Sequence, residues 1–367
     1  MNSVWPDFAD LPLKKDGPRG NAWGLWGPDD QIGTLNYLTE EVVARAAGEE
    51  IKLGKRISLN WTLTGSSYPT LTRKTLDLKI INKAPLNIAH DDEWSFNSQC
   101  SSQWDGFRHY AYQKEQFLLF KLYYMGRTAA QFAESSVPNG IQHIAKKCIA
   151  GRAILVDWYK WAQRNGRVVD AMTAHSVPFT ELLEVIQDQG LSSDDFRAGD
   201  IILFRFGYIS QYENMPEEKR ARLDEVYKRQ KPENIGIEPS EELLRFLWEK
   251  RIAAVAADSR SSEVWPCTEI EWHLHEWLLA GWGMPIGELF DLEELSIACD
   301  EANRYTFFLT SSPMNAPGHA LYNPSISTPR SAYGNTLVEF YLHREQEIVK
   351  QYDLSFAEVN SDVIQAF

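Results

Sequence analysis

The chain has 367 residues, of which 44% are apolar and 24% charged, with a net charge of −14. These are ordinary globular values, enough for one large domain or two medium ones. With no run of Lys and Arg, the acidic balance argues against nucleic-acid binding and against anionic membrane surfaces.

The opening segment, MNSVWPDFADLPLKKDGPRG, has no apolar h-region and does not read as a signal peptide. No window approaches 18 consecutive apolar residues. Cys100, Cys148, Cys267 and Cys299 are scattered without CxxC spacing. They are expected to be reduced thiols of a cytoplasmic protein, not a disulfide frame or a zinc cluster. The 13 Trp, 15 Tyr and 17 Phe admit two readings. One is a large core with a subunit interface, and the other is an aromatic-lined pocket for a flat ligand.

Residues 1–35 read as an ordered loop rich in Gly, Pro, Trp and Asp. LTEEVVARAAGEEI (38–51) predicts a helix with Thr39 as N-cap, acids in the first turn and Gly48 as its stop. RISLNWTL (56–63) alternates as a strand does, and PTLTRKTLDLKII (69–81) continues in that manner. SVPNGIQHIAKKCIAGRAILVDWYKW (136–161) predicts a helix, Gly151, then an apolar strand ending at Asp157. FTELLEVIQDQG (179–190) is a helix closed by Gly190, and RAGDIILFRFGY (197–208) is a tight turn feeding a buried strand.

PSEELLRFLWEKRIAAVAADS (239–259) starts a helix at Pro239 and Ser240 and ends in a small-residue strand at Asp258. EIEWHLHEWLLAGWGMPIGELFDLEEL (269–295) repeats the theme of helix, Gly-rich turn and strand, and RYTFFLTSS (304–312) is expected as the last core strand. Helices and strands mix along the whole length without a linker, so residues 1–367 are expected to form a single α/β or α+β domain. Within it, 1–20 is read as an N-terminal extension. The tail 338–367 is read as an arm across a partner subunit or a frayed end.

Several familiar motifs fail. There is no GxSxG nucleophile elbow and no Walker A. GWGMPIG (281–287) imitates a dinucleotide fingerprint, but it follows a helix and precedes a strand, so it reads as a turn.

What remains is FNSQCSSQWDGFRHY (96–110), with Gln99, Gln103, Asp105 and His109 all at odd positions. An extended chain puts these on one face. A helix, at about 100° per residue, would turn Asp105 roughly 120° from Gln99. The competing reading is a polar strand face open to water. A second group lies in EWHLHEWLLAGWGMPIGEL (271–289). Glu288 sits at the end of an apolar strand, where a carboxylate must be paired, solvated or bound to metal. His273 and His275 would lie about 200° apart on a helix, so only one is expected to serve a site, with His273 read as an ordinary core or surface histidine.

These segments resemble the cyclase-like metal-dependent hydrolases, a family that includes kynurenine formamidase, isatin hydrolase and trans-dienelactone hydrolase. The family motif is HxGTHxDxPxH, and QCSSQWDGFRH keeps its spacing, its Asp as Asp105 and its last His as His109. Gln99 and Gln103 stand where the family has two metal histidines, Ser101 and Ser102 replace Gly-Thr, and Phe107 replaces Pro. WGPDDQIGTLNYLTEE, AGDIILFRFGY, EKRIAAVAADS and HEWLLAGWGMPIGELFDLEEL follow the family in the right order, over roughly residues 20–315.

The resemblance implies a swivelling β/β/α domain, with a twisted, barrel-like sheet and outer helices, in a homodimer or homotetramer. It implies a hydrolase that opens a cyclic amide, lactone or aryl formamide on a small aromatic or cyclic substrate. His109 would be the general base. The metal set would be Gln99, Gln103, Asp105, His275 and Glu288. With so many oxygens, that set favours Mn²⁺ over Zn²⁺, held weakly or not at all. Without a metal, Asp105 and His109 would work with water as an orienting acid and base. Trp104 and Phe107 would stack on a flat substrate or pack in the core. Two readings from other classes stand beside this one. The first is a non-catalytic or metal-independent small-molecule binder on the same scaffold. The second is a glycosidase-like enzyme with two acids and a Trp platform.

Overall fold

The computed structural model describes residues 5–52, 54–66, 73–113, 121–227, 229 and 232–317, with 224 and 332–340 given by backbone alone. Twelve strands are present among these residues. They are β1 (Lys55–Ser58), β2 (Asp77–Asn82), β3 (His90–Ser95), β4 (Gln103–Asp105), β5 (Ile149–Val156) and β6 (Ser176–Val177), followed by β7 (Ile201–Phe204), β8 (Gly236–Ile237), β9 (Ala254–Ala257), β10 (Ile286–Glu288), β11 (Thr306–Pro313) and β12 (Ala332–Phe340). Eight of them form one sheet in the order β1-β12-β11-β5-β7-β9-β10-β4.

Strand β12 also pairs with β4, through Ala332 opposite Trp104 and Tyr333 opposite Gln103. The sheet therefore curls into a half-barrel with helices around it, in a mixed α+β architecture. RYTFFLTSS is consequently not the last core strand, because β12 follows it and pairs with both β11 and β1. The expected arm 338–367 begins inside β12, and residues 341–367 lie outside the described residues.

The centre of the sheet is parallel, from β5 through β7 and β9 to β10. IILF in β7 and AVAA in β9 are buried along their whole length, as parallel strands covered on both faces require. The helices are α1 (Glu40–Glu50), α2 (Ala129–Glu134), α3 (Gln142–Lys147), α4 (Trp158–Arg164), α5 (Phe179–Asp188), α6 (Tyr208–Glu213), α7 (Glu217–Tyr227), α8 (Glu241–Glu249) and α9 (Glu293–Ala302). Of these, α4 and α5 lie in the crossover from β5 to β7, and α6, α7 and α8 in that from β7 to β9, as parallel pairing demands. The caps follow the sequence: Thr39 accepts from Val42 N at 3.4 Å and Ser240 from Leu243 N at 3.3 Å. The buried stripe Leu243, Leu244, Leu247 and Trp248 seats α8 on the core.

Two local expectations fail for a tertiary reason. Gly48 does not stop α1, which runs on to Glu50. The buried Glu50 carboxylate accepts from Arg304 at 2.5 Å and from Thr306 Oγ1 at 3.1 Å, and that network holds the last turn against glycine's preference. Likewise Gly151 lies inside β5 and does not precede it.

Residues 5–20 pack on the body. Pro6 O accepts from Trp248 Nε1 at 2.9 Å, and Phe8 stacks on Trp277 with ring centroids 5.7 Å apart. The β2–β3 hairpin stands off the sheet, with Leu78, Ile80 and Trp94 exposed on one face. Of the segment 69–81, residues 69–72 lie outside the described residues and the strand begins at Asp77. Among the described residues, no helix is long and apolar enough to cross a membrane.

Two glycines respond oppositely to an added methyl. Gly33 has φ +54°, and a Cβ there would lie 1.9 Å from Gly283 O. Gly48 is helical and has open space beside it. Gly33→Ala is therefore expected to destabilise by about 2 kcal/mol or more, and Gly48→Ala to stabilise by about 0.5–1 kcal/mol. Denaturant midpoints of the two variants check both signs.

Candidate active site

The site begins with the pairing of β4 and β10. Gln103 lies opposite Glu288, and Asp105 opposite Ile286. Directly opposed residues share a face, and so do residues two apart on one strand. Gln103, Asp105 and Glu288 therefore share one face. Trp104 points to the other, above Gly287, where a Cβ would sit 2.5 Å from Ala256 Cβ.

The chain is not extended throughout 99–109. Gln99 sits in a short 3₁₀ turn, Ser98–Cys100, whose entry Asn97 caps by accepting from Gln99 N at 2.9 Å. His109 follows a second turn, in which its N–H donates to Gly106 O at 2.9 Å. Turn, strand and turn together still bring the four polar residues to one place. Gln99 Nε2 donates to Asp105 Oδ1 at 2.6 Å. Gln103 Nε2 donates to Glu288 Oε2 at 2.6 Å and to Gln99 Oε1 at 3.0 Å. His109 Nε2 stands 3.5 Å from Asp105 Oδ2.

His275 completes the ring of donors. It opens a buried π-helical segment, His275–Trp282, a form often found at functional sites. Its Nε2 lies 3.5 Å from Glu288 Oε1 and 4.0 Å from Asp105 Oδ2. Asp105, His109 and His275 each offer a ligand atom within 4.8 Å of the others. Asp105 Oδ2 and Gln103 Oε1 are buried with no hydrogen-bond partner among the described residues. Such atoms are costly unless something fills the gap between them. The set of carboxylate, imidazole and one spare amide oxygen fits a divalent cation.

Electrostatics sharpen this. Burial first, then the Asp105 charge, pushes the Glu288 carboxyl up, while His275 opposes the shift. Burial works against a charged His275, but Glu263 and Glu288 outweigh it and hold the imidazole well above its usual range. Burial holds His109 below its usual range against the pull of Asp105, which favours the neutral ring. Arg73 brings a cation close to Glu288 and Asp105.

Glu263 fixes His275. One carboxylate oxygen, Oε1, accepts from the His275 backbone N–H at 3.1 Å and pairs with its ring Nδ1. The other, Oε2, accepts from Leu274 N at 2.9 Å. The ring is thereby locked with Nε2 towards Asp105 and Glu288. Sequence reasoning missed Glu263 and Arg73. The available signal was an acid in SSEVWP with no charge of opposite sign beside it.

His273 also turns to Glu263, with Nε2 3.4 Å from Oε1. It precedes the π-helical segment at the end of a 3₁₀ turn, so helical angles do not separate it from His275. Besides His273 and His109, the rings flanking His275 include Tyr110 and Trp265, at 5.3 and 6.4 Å between centroids. Trp104 and Phe107 lie in the core instead. Trp104 donates to Ser311 Oγ at 2.8 Å and packs edge-on to Phe290, and Phe107 packs on Tyr124. GWGMPIG is only partly the expected turn: Gly281 and Trp282 close the π-helical segment, Gly283 at φ +67° with Met284 and Pro285 makes the turn, and Ile286 and Gly287 already belong to β10.

The family model described as "Putative cyclase" matches residues 29–264, more than half of the chain. A solved structure described as a novel cyclase is 26% identical, with a TM-score of 0.69 and coverage of 87% of this chain and 97% of that one. Isatin hydrolase A from Ralstonia solanacearum is 14% identical, with a TM-score of 0.48 and coverage of 82% and 98%. A structure described as a potential metal-dependent hydrolase with cyclase activity is 13% identical, with a TM-score of 0.43 and coverage of 77% and 98%. A search of curated proteins gave no significant match.

Because Glu263 steadies a donor imidazole, Glu263→Gln is expected to weaken divalent-cation binding about 10- to 100-fold. Trp104→Phe, altered only in the core, is expected to leave it unchanged. Calorimetric titration with Mn²⁺ measures both.

Proposed function

The chain belongs to the cyclase family, and on that premise we propose that it is a hydrolase opening a cyclic amide, lactone or aryl formamide by water attack. The observation that carries the proposal is the convergence of Asp105 Oδ2, His109 Nε2, His275 Nε2 and Glu288 Oε1 around a gap lined by unpartnered polar atoms. Asp105, His275 and Glu288 would hold a divalent ion, with the Gln103 carbonyl oxygen as a further donor. When bound, such an ion polarises a carbonyl and lowers the pKa of water towards about 7.

The protein's own groups supply the rest. Burial keeps His109 neutral and so free to accept a proton, and the neighbouring Asp105 favours the charged ring once it forms. Gln99 and Gln103 hold one oxygen of each carboxylate and so aim the other inward. Tyr110 and Trp265 offer aromatic faces for a flat substrate beside His275. Mn²⁺ suits the site better than Zn²⁺, because carboxylate and amide oxygens outnumber imidazoles.

Two experiments test this. Metal analysis should find a divalent ion, chelation should abolish lactone or aryl-formamide hydrolysis, and Mn²⁺ should restore it. Full ligand binding after chelation, with no turnover on a broad panel, would instead indicate a binding protein on this scaffold. His109→Ala should lower kcat by about 10²- to 10⁴-fold, and activity equal to wild type would remove His109 from the base role. Gln99→His with Gln103→His should shift selectivity towards Zn²⁺, read by metal competition.

A further inference from the structure

Behind His275, on the side away from Asp105, lies a second group of donors. Glu263, Cys267 and His273 each offer a ligand atom within 4.8 Å of the others. His273 is only 5% exposed, and its Nε2, 3.4 Å from Glu263 Oε1, has no hydrogen-bond partner among the described residues. A buried polar atom left in that state is costly unless something fills the gap beside it. The other ring nitrogen, Nδ1, faces Glu276 Oε1 at 3.9 Å, and Glu276 Oε2 is likewise buried and unpartnered. Cys267 is only partly buried, which gives the group a way in from solvent. The Tyr110 ring, 5.1 Å from that of His273, covers another side.

We infer that Glu263, His273 and Cys267 form a second divalent-metal site of the zinc type, sharing Glu263 with His275. Sulfur, nitrogen and oxygen donors together suit Zn²⁺, and three protein ligands leave a fourth position open to water. The Cys267 thiol releases its proton to solvent as the sulfur–metal bond forms, so the thiolate brings one negative charge to the ion while the Glu263 carboxylate is shared between the ion and His275. Cysteine spacing gives no hint of this site, because only one thiol takes part. The site goes beyond the proposed hydrolysis and does not depend on it. Its link to the first site is Glu263, which would bind an ion on one side and orient His275 on the other.

Cobalt is the probe. Full-length protein loaded with Co²⁺ should show thiolate-to-cobalt charge-transfer absorption. Cys267→Ser should abolish that band and lower zinc content by one ion per chain, and His273→Gln should weaken it. Asp105→Asn, which disables the first site, should leave the band in place, so the two readings can fail separately. Where the Cys267 variant does not fold, alkylation of the wild type read by peptide mapping serves instead, with zinc expected to protect Cys267. A wild type without the charge-transfer band, a Cys267→Ser protein with wild-type zinc content, or Cys267 alkylated equally with and without zinc would overturn the site.

Discussion

Two carboxylates, Asp105 and Glu288, face one buried space from neighbouring strands, and the rest of the site answers that repulsion. Neither is solvated, so each needs donors or positive charge from the protein. Gln99 and Gln103 each give an N–H to one carboxylate. His275 stands between the two, and Arg73 adds charge from the side. Glutamine is neutral at any pH and so can serve as a fixed donor where histidine would titrate. With glutamine at positions 99 and 103, the positive charge facing the two carboxylates is left to His275, Arg73 and whatever cation binds.

Much of this was legible in the sequence because it depends on short-range periodicity. Parity alone placed Gln103 and Asp105 on one face. The capping residues Thr39 and Ser240 and the apolar runs of β7 and β9 are likewise local, and each appears where local rules put it. The family resemblance, carried by ordered segments, was matched by a family model over residues 29–264.

What was not legible depends on distant partners. Gly48 fails to stop its helix because Arg304, more than 250 residues away, holds Glu50. Glu263 carries no motif, and its importance comes from the backbone N–H groups and imidazoles that later chain brings to it. His273 was discounted because a helix was assumed to include it, whereas the chain turns before the helical segment starts. Strand β12 was missed because the strand at 304–312 was read as the end of the core.

The pairing of β4 with β10 has a kinetic meaning. Three-residue strands carry little stability of their own, so Gln103 and Glu288 meet only when a loop of 185 residues closes. Loop-closure entropy makes such contacts late ones, and they form after the local helices and the parallel centre have gathered the chain. The polar cluster therefore assembles at the end of folding, from segments that emerge far apart during synthesis. An intact polar cluster thus reports completion of the fold as a whole.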